Sequence, residues 1–109
     1  MKTYLVDYQQ ECFYAIYLNP KNEVIEHRLL FKGTINQSLV HPREIFKYAY
    51  LLSATSIICL HNHPSGNPEP SKEDIRLIKA LEEISKLQQI NILDHLIITK
   101  DRYYSYYDK

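Results

Sequence analysis

Hydrophobic residues follow two rhythms along this chain. From Tyr4 to Leu18 they are mostly aromatic and β-branched types that suit a pleated surface, interrupted by Gln9, Gln10 and Glu11. That pattern predicts either two short strands or a short lead-in followed by a strong strand over Cys12 to Leu18. The tetrad Asn19-Pro20-Lys21-Asn22 combines a preset φ with residues that tolerate the left-handed region, so the chain is expected to reverse there into a hairpin. The return strand is expected over Glu23 to Phe31, closed by Gly33. A largely polar segment, Thr34 to Ser38, then leads to His41-Pro42, where proline suits a first helical turn.

Ile45, Phe46, Ala49, Tyr50 and Leu52 recur at helical spacing, which predicts a helix over Arg43 to Leu52 with one buried stripe. Thr55 to Leu60 is short, apolar and β-branched, as expected of a central strand covered on both faces. From His61 to Pro70 three prolines and Gly66 predict a loop. Ser71 then opens a second helix as its N-cap, with Glu73 and Asp74 in the first turn. Ile75, Leu77, Ile78, Leu81, Ile84 and Leu87 form its apolar positions. Asp74 falls at N3, where its side chain can reach back across the helix start. Ile90 to Thr99 and Arg102 to Tyr107 read as two more strands. There is no internal repeat, low-complexity tract or linker. The fold class expected is mixed α/β, a curved, largely antiparallel sheet with both helices packed against it, forming one domain over residues 1–109.

Composition narrows the function more than the fold. Hydrophobic residues at 45% and charged residues at 24% belong to a chain that folds, and 109 residues leave no room for a separate recognition module. Thirteen basic side chains cancel thirteen acidic ones, so no global positive field exists to hold a phosphate backbone. A nucleic-acid partner is therefore weakly supported. Cys12 and Cys59 have the spacing of neither a disulfide framework nor a thiolate metal site, and a reducing cytoplasm is expected. No secretory apolar core and no bilayer-length apolar stretch occur, so no membrane association is expected.

The chemistry concentrates at the end of the predicted central strand, in His61-Asn62-His63-Pro64, with Ser71 and Asp74 following. Two histidines at i and i+2 on an extended backbone project to the same side, because side chains there alternate with period two. They can share one ion. A carboxylate from the start of the next helix supplies a third ligand, and three protein ligands leave the fourth tetrahedral position of Zn²⁺ open to solvent, as catalysis requires. Ligand type favours zinc, though a His₂Asp site also accepts iron, cobalt or manganese. Hydrolysis needs a nearby base as well, and spacing alone leaves Glu11, Glu23, Glu26 and Glu44 as candidates.

The string His61 through Gly66, then Pro70-Ser71 and Asp74, resembles the His-x-His-Pro and Ser-x-x-Asp motif of the JAMM (MPN+) metalloproteases in the JAB domain superfamily. It is similar above all to the bacterial RadC branch, which Phe31-Lys32-Gly33-Thr34, His41-Pro42-Arg43-Glu44 and Leu93-Asp94-His95 also resemble. That resemblance implies a JAB/MPN-like, cytidine-deaminase-like fold. It further implies His61, His63 and Asp74 as zinc ligands, Glu11 as the base, and Ser71 as a donor to the oxyanion of the tetrahedral intermediate. The implied reaction is hydrolysis of an amide or isopeptide bond in a peptide or protein. Compared with the full-length bacterial family this sequence shows no N-terminal helix-hairpin-helix region, so a DNA-targeting role is less supported still.

Plainer readings stand beside these. Ser71 also fits as a helix cap, and capping competes with oxyanion donation for one hydroxyl; Asp74 also fits as a first-turn acid facing the helix dipole. His95 beside Asp94 fits a second-shell pair, a fourth ligand or a satisfied core histidine, and both stay outside the ligand set. The paired tyrosines at 103–104 and 106–107 suit a sheet edge or a dimer contact, or a platform for bases or peptide. For the whole protein the rivals to hydrolysis are a DNA-repair accessory or nuclease and a non-catalytic binding module.

Overall fold

A computed structural model describes residues 10–33 and 41–107. Within them the chain runs β1 (Cys12–Leu18), β2 (Val24–Lys32), α1 (Pro42–Leu51), β3 (Ser56–Asn62), α2 (Lys72–Gln88), β4 (Asn91–Ile98) and β5 (Tyr103–Ser105). The fold is mixed α/β, with one sheet in the order β2-β1-β3-β4-β5. Every pairing is antiparallel except β3 with β4. A parallel pair needs a long crossover, and here the proline-rich loop and α2 supply it. The start of α2 therefore lies beside the carboxyl end of β3, the end at which open α/β sheets collect ligands. The expected lead-in before residue 10 and the segment Thr34 to Ser38 lie outside the described residues.

All seven residues of β1 are buried, because the strand has a neighbour on each edge and apolar cover on each face. Alternation sorts its side chains. Phe13, Ala15 and Tyr17 join Ile57 and Cys59 against α1 and α2, while Cys12, Tyr14 and Ile16 join Leu60 and Ile98 on the opposite face. The Tyr17 hydroxyl donates to the Ile45 carbonyl at 2.7 Å and ties β1 to α1. Both cysteines are free and buried. No helix among the described residues is long and apolar enough to cross a membrane.

Some boundaries differ from the sequence expectation. His61 and Asn62 belong to β3 rather than to the loop, since they pair with Phe13 on β1 and with Ile97 and Ile98 on β4; the backbone leaves the sheet only near Pro64. Tyr50 and Leu87, placed by periodicity on buried stripes, are 58% and 83% exposed. In α1 the narrow arc of Ile45, Phe46 and Ala49 already fills the contact, and Tyr50 projects aside to donate to Gln88. The last strand is shorter than expected, because beyond Ser105 the Asp94 carboxylate takes the Tyr107 N–H.

Candidate metal centre

The site grows from the end of β3. The sheet keeps its extended geometry one residue past the strand, where the His63 N–H donates to the Ile98 carbonyl at 2.9 Å. His61 and His63 therefore face the same way, with Nε2 atoms 3.2 Å apart. Phe13, the cross-strand partner of His61, stacks on its ring at 6.1 Å and 17°. His61 is fully buried and His63 half-buried.

The loop after His63 turns at once. The Gly66 N–H donates to the His63 carbonyl at 3.1 Å, with Pro64 at the second turn position and Gly66 at φ 90°, a value that favours glycine. That turn brings the Asn67 carbonyl to 2.9 Å from His63 Nδ1. A carbonyl can only accept, so Nδ1 carries the proton, and in the neutral ring the lone pair lies on Nε2, facing His61 and Asp74. Arg102 donates to the Gly66 carbonyl at 3.2 Å and anchors the loop from outside.

Asp74 serves two purposes. Its carboxylate completes a capping box, with Oδ2 accepting the Ser71 N–H at 2.8 Å while Ser71 Oγ accepts the Asp74 N–H at 3.1 Å. The same carboxylate faces His63 Nε2 at 3.0 Å and His61 Nε2 at 3.3 Å. Burial alone would raise the Asp74 pKa, but the hydrogen bonds to His61 and His63 and the Ser71 N–H hold it well below the usual carboxylate range. The competition expected for the Ser71 hydroxyl does not arise, because capping uses an oxygen lone pair and leaves the O–H able to donate.

His61 Nε2, His63 Nε2 and an Asp74 oxygen lie within 4.8 Å of one another. Tetrahedral zinc with bonds of about 2.0–2.1 Å places its ligand atoms about 3.3 Å apart. The two Nε2 atoms are 3.2 Å apart, and the Asp74 carboxylate stands 3.3 Å from His61 through Oδ1 and 3.0 Å from His63 through Oδ2, so the donor set fits such an ion in type and approximate spacing. Beside it opens a cavity of about 480 Å³ lined among others by Glu11, His63, Ser71, Asp74, Glu69 and Glu73. Glu23, Glu26 and Glu44, the other candidate bases, do not line it.

A family model described as RadC-like JAB domain matches residues 1–109. The chain belongs to that family. It is 52% identical over 101 residues to UPF0758 proteins of Bacillus cereus (strain AH187), Bacillus anthracis (strain A0248) and Bacillus thuringiensis subsp. konkukian (strain 97-27). Each alignment covers 93% of this chain and 45% of the relative, so the chain spans about half the length of those curated proteins.

Two more residues of this RadC-like domain adjoin the site: Asn62, to which sequence reasoning assigned no role, and His95, for which it left several readings open. Asn62, between the two histidines, is fully buried and points to the opposite face of the sheet, where it holds the backbone around Glu11. Its sequence signal was a polar side chain on the opposite alternation from the two flanking histidines. His95 on β4 is 1% exposed, with Nε2 3.1 Å from His61 Nδ1. Burial and then the nearby His61 keep its pKa well below the usual histidine value. Asp94 does not act with it on the centre. Its Oδ1 accepts the His95 and Tyr107 N–H groups and its Oδ2 the Ser105 hydroxyl, which pins the sheet edge.

Proposed function

We propose that this domain is a zinc-dependent hydrolase of amide or isopeptide bonds, with His61, His63 and Asp74 as the metal ligands and Glu11 as the base. The observation that carries this is the convergence of two imidazole Nε2 atoms and one buried carboxylate at zinc-like separations beside an open cavity. When bound, zinc supplies a Lewis acid that makes a carbonyl electrophilic and water acidic near neutral pH.

The remaining steps belong to the chain. Asn67 and the Ser71 N–H orient His63 and Asp74, and the sheet and Phe13 fix His61. Glu11, on the cavity wall, takes a proton from the attacking water on its carboxylate and returns it to the departing amide nitrogen. The Ser71 O–H donates to the developing oxyanion. A peptide or protein suits this cavity better than nucleic acid: Glu11, Glu69, Glu73 and Asp74 line it, no lysine or arginine among the described residues does, and phosphates would be repelled.

The test combines elemental analysis of protein purified without chelator or metal resin with turnover on peptide and isopeptide libraries. About one zinc per chain is expected, lost in His63→Ala and Asp74→Ala and retained in Glu11→Gln, which no longer turns over. Stoichiometric zinc in the folded ligand variants, or full activity of Glu11→Gln, overturns the assignment.

A further inference from the structure

We infer that His95 is a positioning residue for this centre: its Nε2 accepts the Nδ1–H of His61 and so holds the His61 Nε2 lone pair toward His63 and Asp74. The inference rests on reading His61, His63 and Asp74 as the ligand set. It adds a residue from a third strand that no ligand motif contains.

The proton count on the two rings fixes the direction of the bond. A neutral imidazole has one N–H, and a ring that coordinates through Nε2 must carry it on Nδ1. His61 is wholly buried, so solvent cannot accept that proton, and a buried donor left without an acceptor is unfavourable. The atom standing 3.1 Å from Nδ1 is His95 Nε2. The two rings meet at 80° with centroids 5.1 Å apart, so one ring's edge addresses the other. Reversing the proton order would put hydrogen on His61 Nε2, within 3.2 Å of His63 Nε2, where a ligand needs a lone pair.

Sheet register builds this contact. His95 is the β4 partner of Cys59, one step along the same face from His61, and the parallel pairing of β3 with β4 sets its ring beside that of His61. Phe13 braces both rings, stacked on His61 and edge-on to His95 at 5.7 Å and 65°. Metal-bound histidines commonly donate to a carboxylate, a carbonyl or water. Here the acceptor is an uncharged imidazole, which fixes the tautomer without adding negative charge to the centre.

The test uses the full chain, zinc and cobalt(II) as probes, and the variants His95→Leu and His95→Gln. His95→Leu is expected to weaken zinc binding about 10–100-fold and to alter the cobalt(II) d–d spectrum. His95→Gln, whose amide oxygen can accept the same proton, is expected to restore most of the affinity. In zinc-loaded wild-type protein, long-range ¹H–¹⁵N histidine correlations are expected to show His61 protonated at Nδ1 and His95 unprotonated at Nε2. This last readout holds even if a variant fails to fold. A folded His95→Leu that binds zinc as wild type does, or a protonated His95 Nε2 in the loaded protein, overturns the inference while leaving the ligand set intact. Wild-type protein that binds neither ion overturns the ligand set itself, and His95's role with it.

Discussion

Asn62 clasps Cys12 and, through it, the backbone on either side of Glu11. Its Oδ1 accepts the Cys12 N–H at 2.6 Å, and its Nδ2 donates to the Gln10 carbonyl at 2.7 Å. The residue between the two proposed ligands thus fixes the strand that carries the proposed base, and one three-residue stretch sets the spacing of metal and base together. Asn62→Leu removes both bonds and strands a buried N–H, so urea denaturation should show a loss of about 2–3 kcal/mol. Zinc affinity should stay near wild type, because the altered side chain lies on the other face of the sheet, while turnover falls. A stability change within error would refute the clasp.

Metal binding should depend on pH with a definite sign. Burial pushes the His63 pKa down, but the hydrogen bond to Asp74, the Asn67 carbonyl and the charges of Asp74 and Glu11 outweigh it and raise the pKa above 6.5. Below that raised value a proton occupies the atom that would bind metal. Zinc affinity should therefore fall about tenfold per pH unit as pH drops through it, and level off above. Glu11→Gln removes one of the raising charges and should move the inflection to lower pH. Competition titrations with a chromophoric chelator measure both effects; a flat profile, or an upward shift in Glu11→Gln, contradicts the geometry.

Cys59 should be chemically silent in the native protein. Complete burial pushes its thiol pKa up to about 12, and Cys12 is buried on the opposite face of the sheet. The thiolate is the reactive form, so a disulfide reagent near neutral pH should label neither cysteine until denaturant is added, and then both. Rapid labelling of the native chain, with or without zinc, would show that the core opens far more readily than this packing allows.

The C-cap of α2 offers a stabilising change far from the metal. Gln89 holds φ 59°, a left-handed conformation that costs an L residue about 1–2 kcal/mol and glycine almost nothing. After the entropy that glycine adds to the unfolded chain, Gln89→Gly should gain about 0.5–1 kcal/mol in thermal or urea unfolding, with zinc affinity unchanged. A lower midpoint would mean that the glutamine side chain contributes more than its backbone costs.

Local chemistry made much of this molecule legible from sequence. Ser71 and Asp74 announce a helix start through spacing alone, and the capping box forms as that spacing requires. The aromatic and β-branched residues of Cys12–Leu18 and the apolar run before His61 announce strands, and two histidines at i and i+2 share a side because strand geometry repeats every two residues. Boundaries were less legible where partners, rather than propensity, hold the chain. His61 and Asn62 stay in the sheet because Phe13, Ile97 and Ile98 pair with them, although the prolines just ahead suggest a loop from His61 onward.

Sequence by itself determined the donor types, their spacing along the chain and the elements that carry them, since these depend on contacts between near neighbours. Tertiary structure decided that Glu11, which the resemblance implied but spacing left level with Glu23, Glu26 and Glu44, borders the cavity, that Asn62 grips β1, and that His95 meets His61. Those relations join residues about 30 to 60 positions apart, and they are fixed by the order and register of strands, a long-range choice that no local pattern encodes.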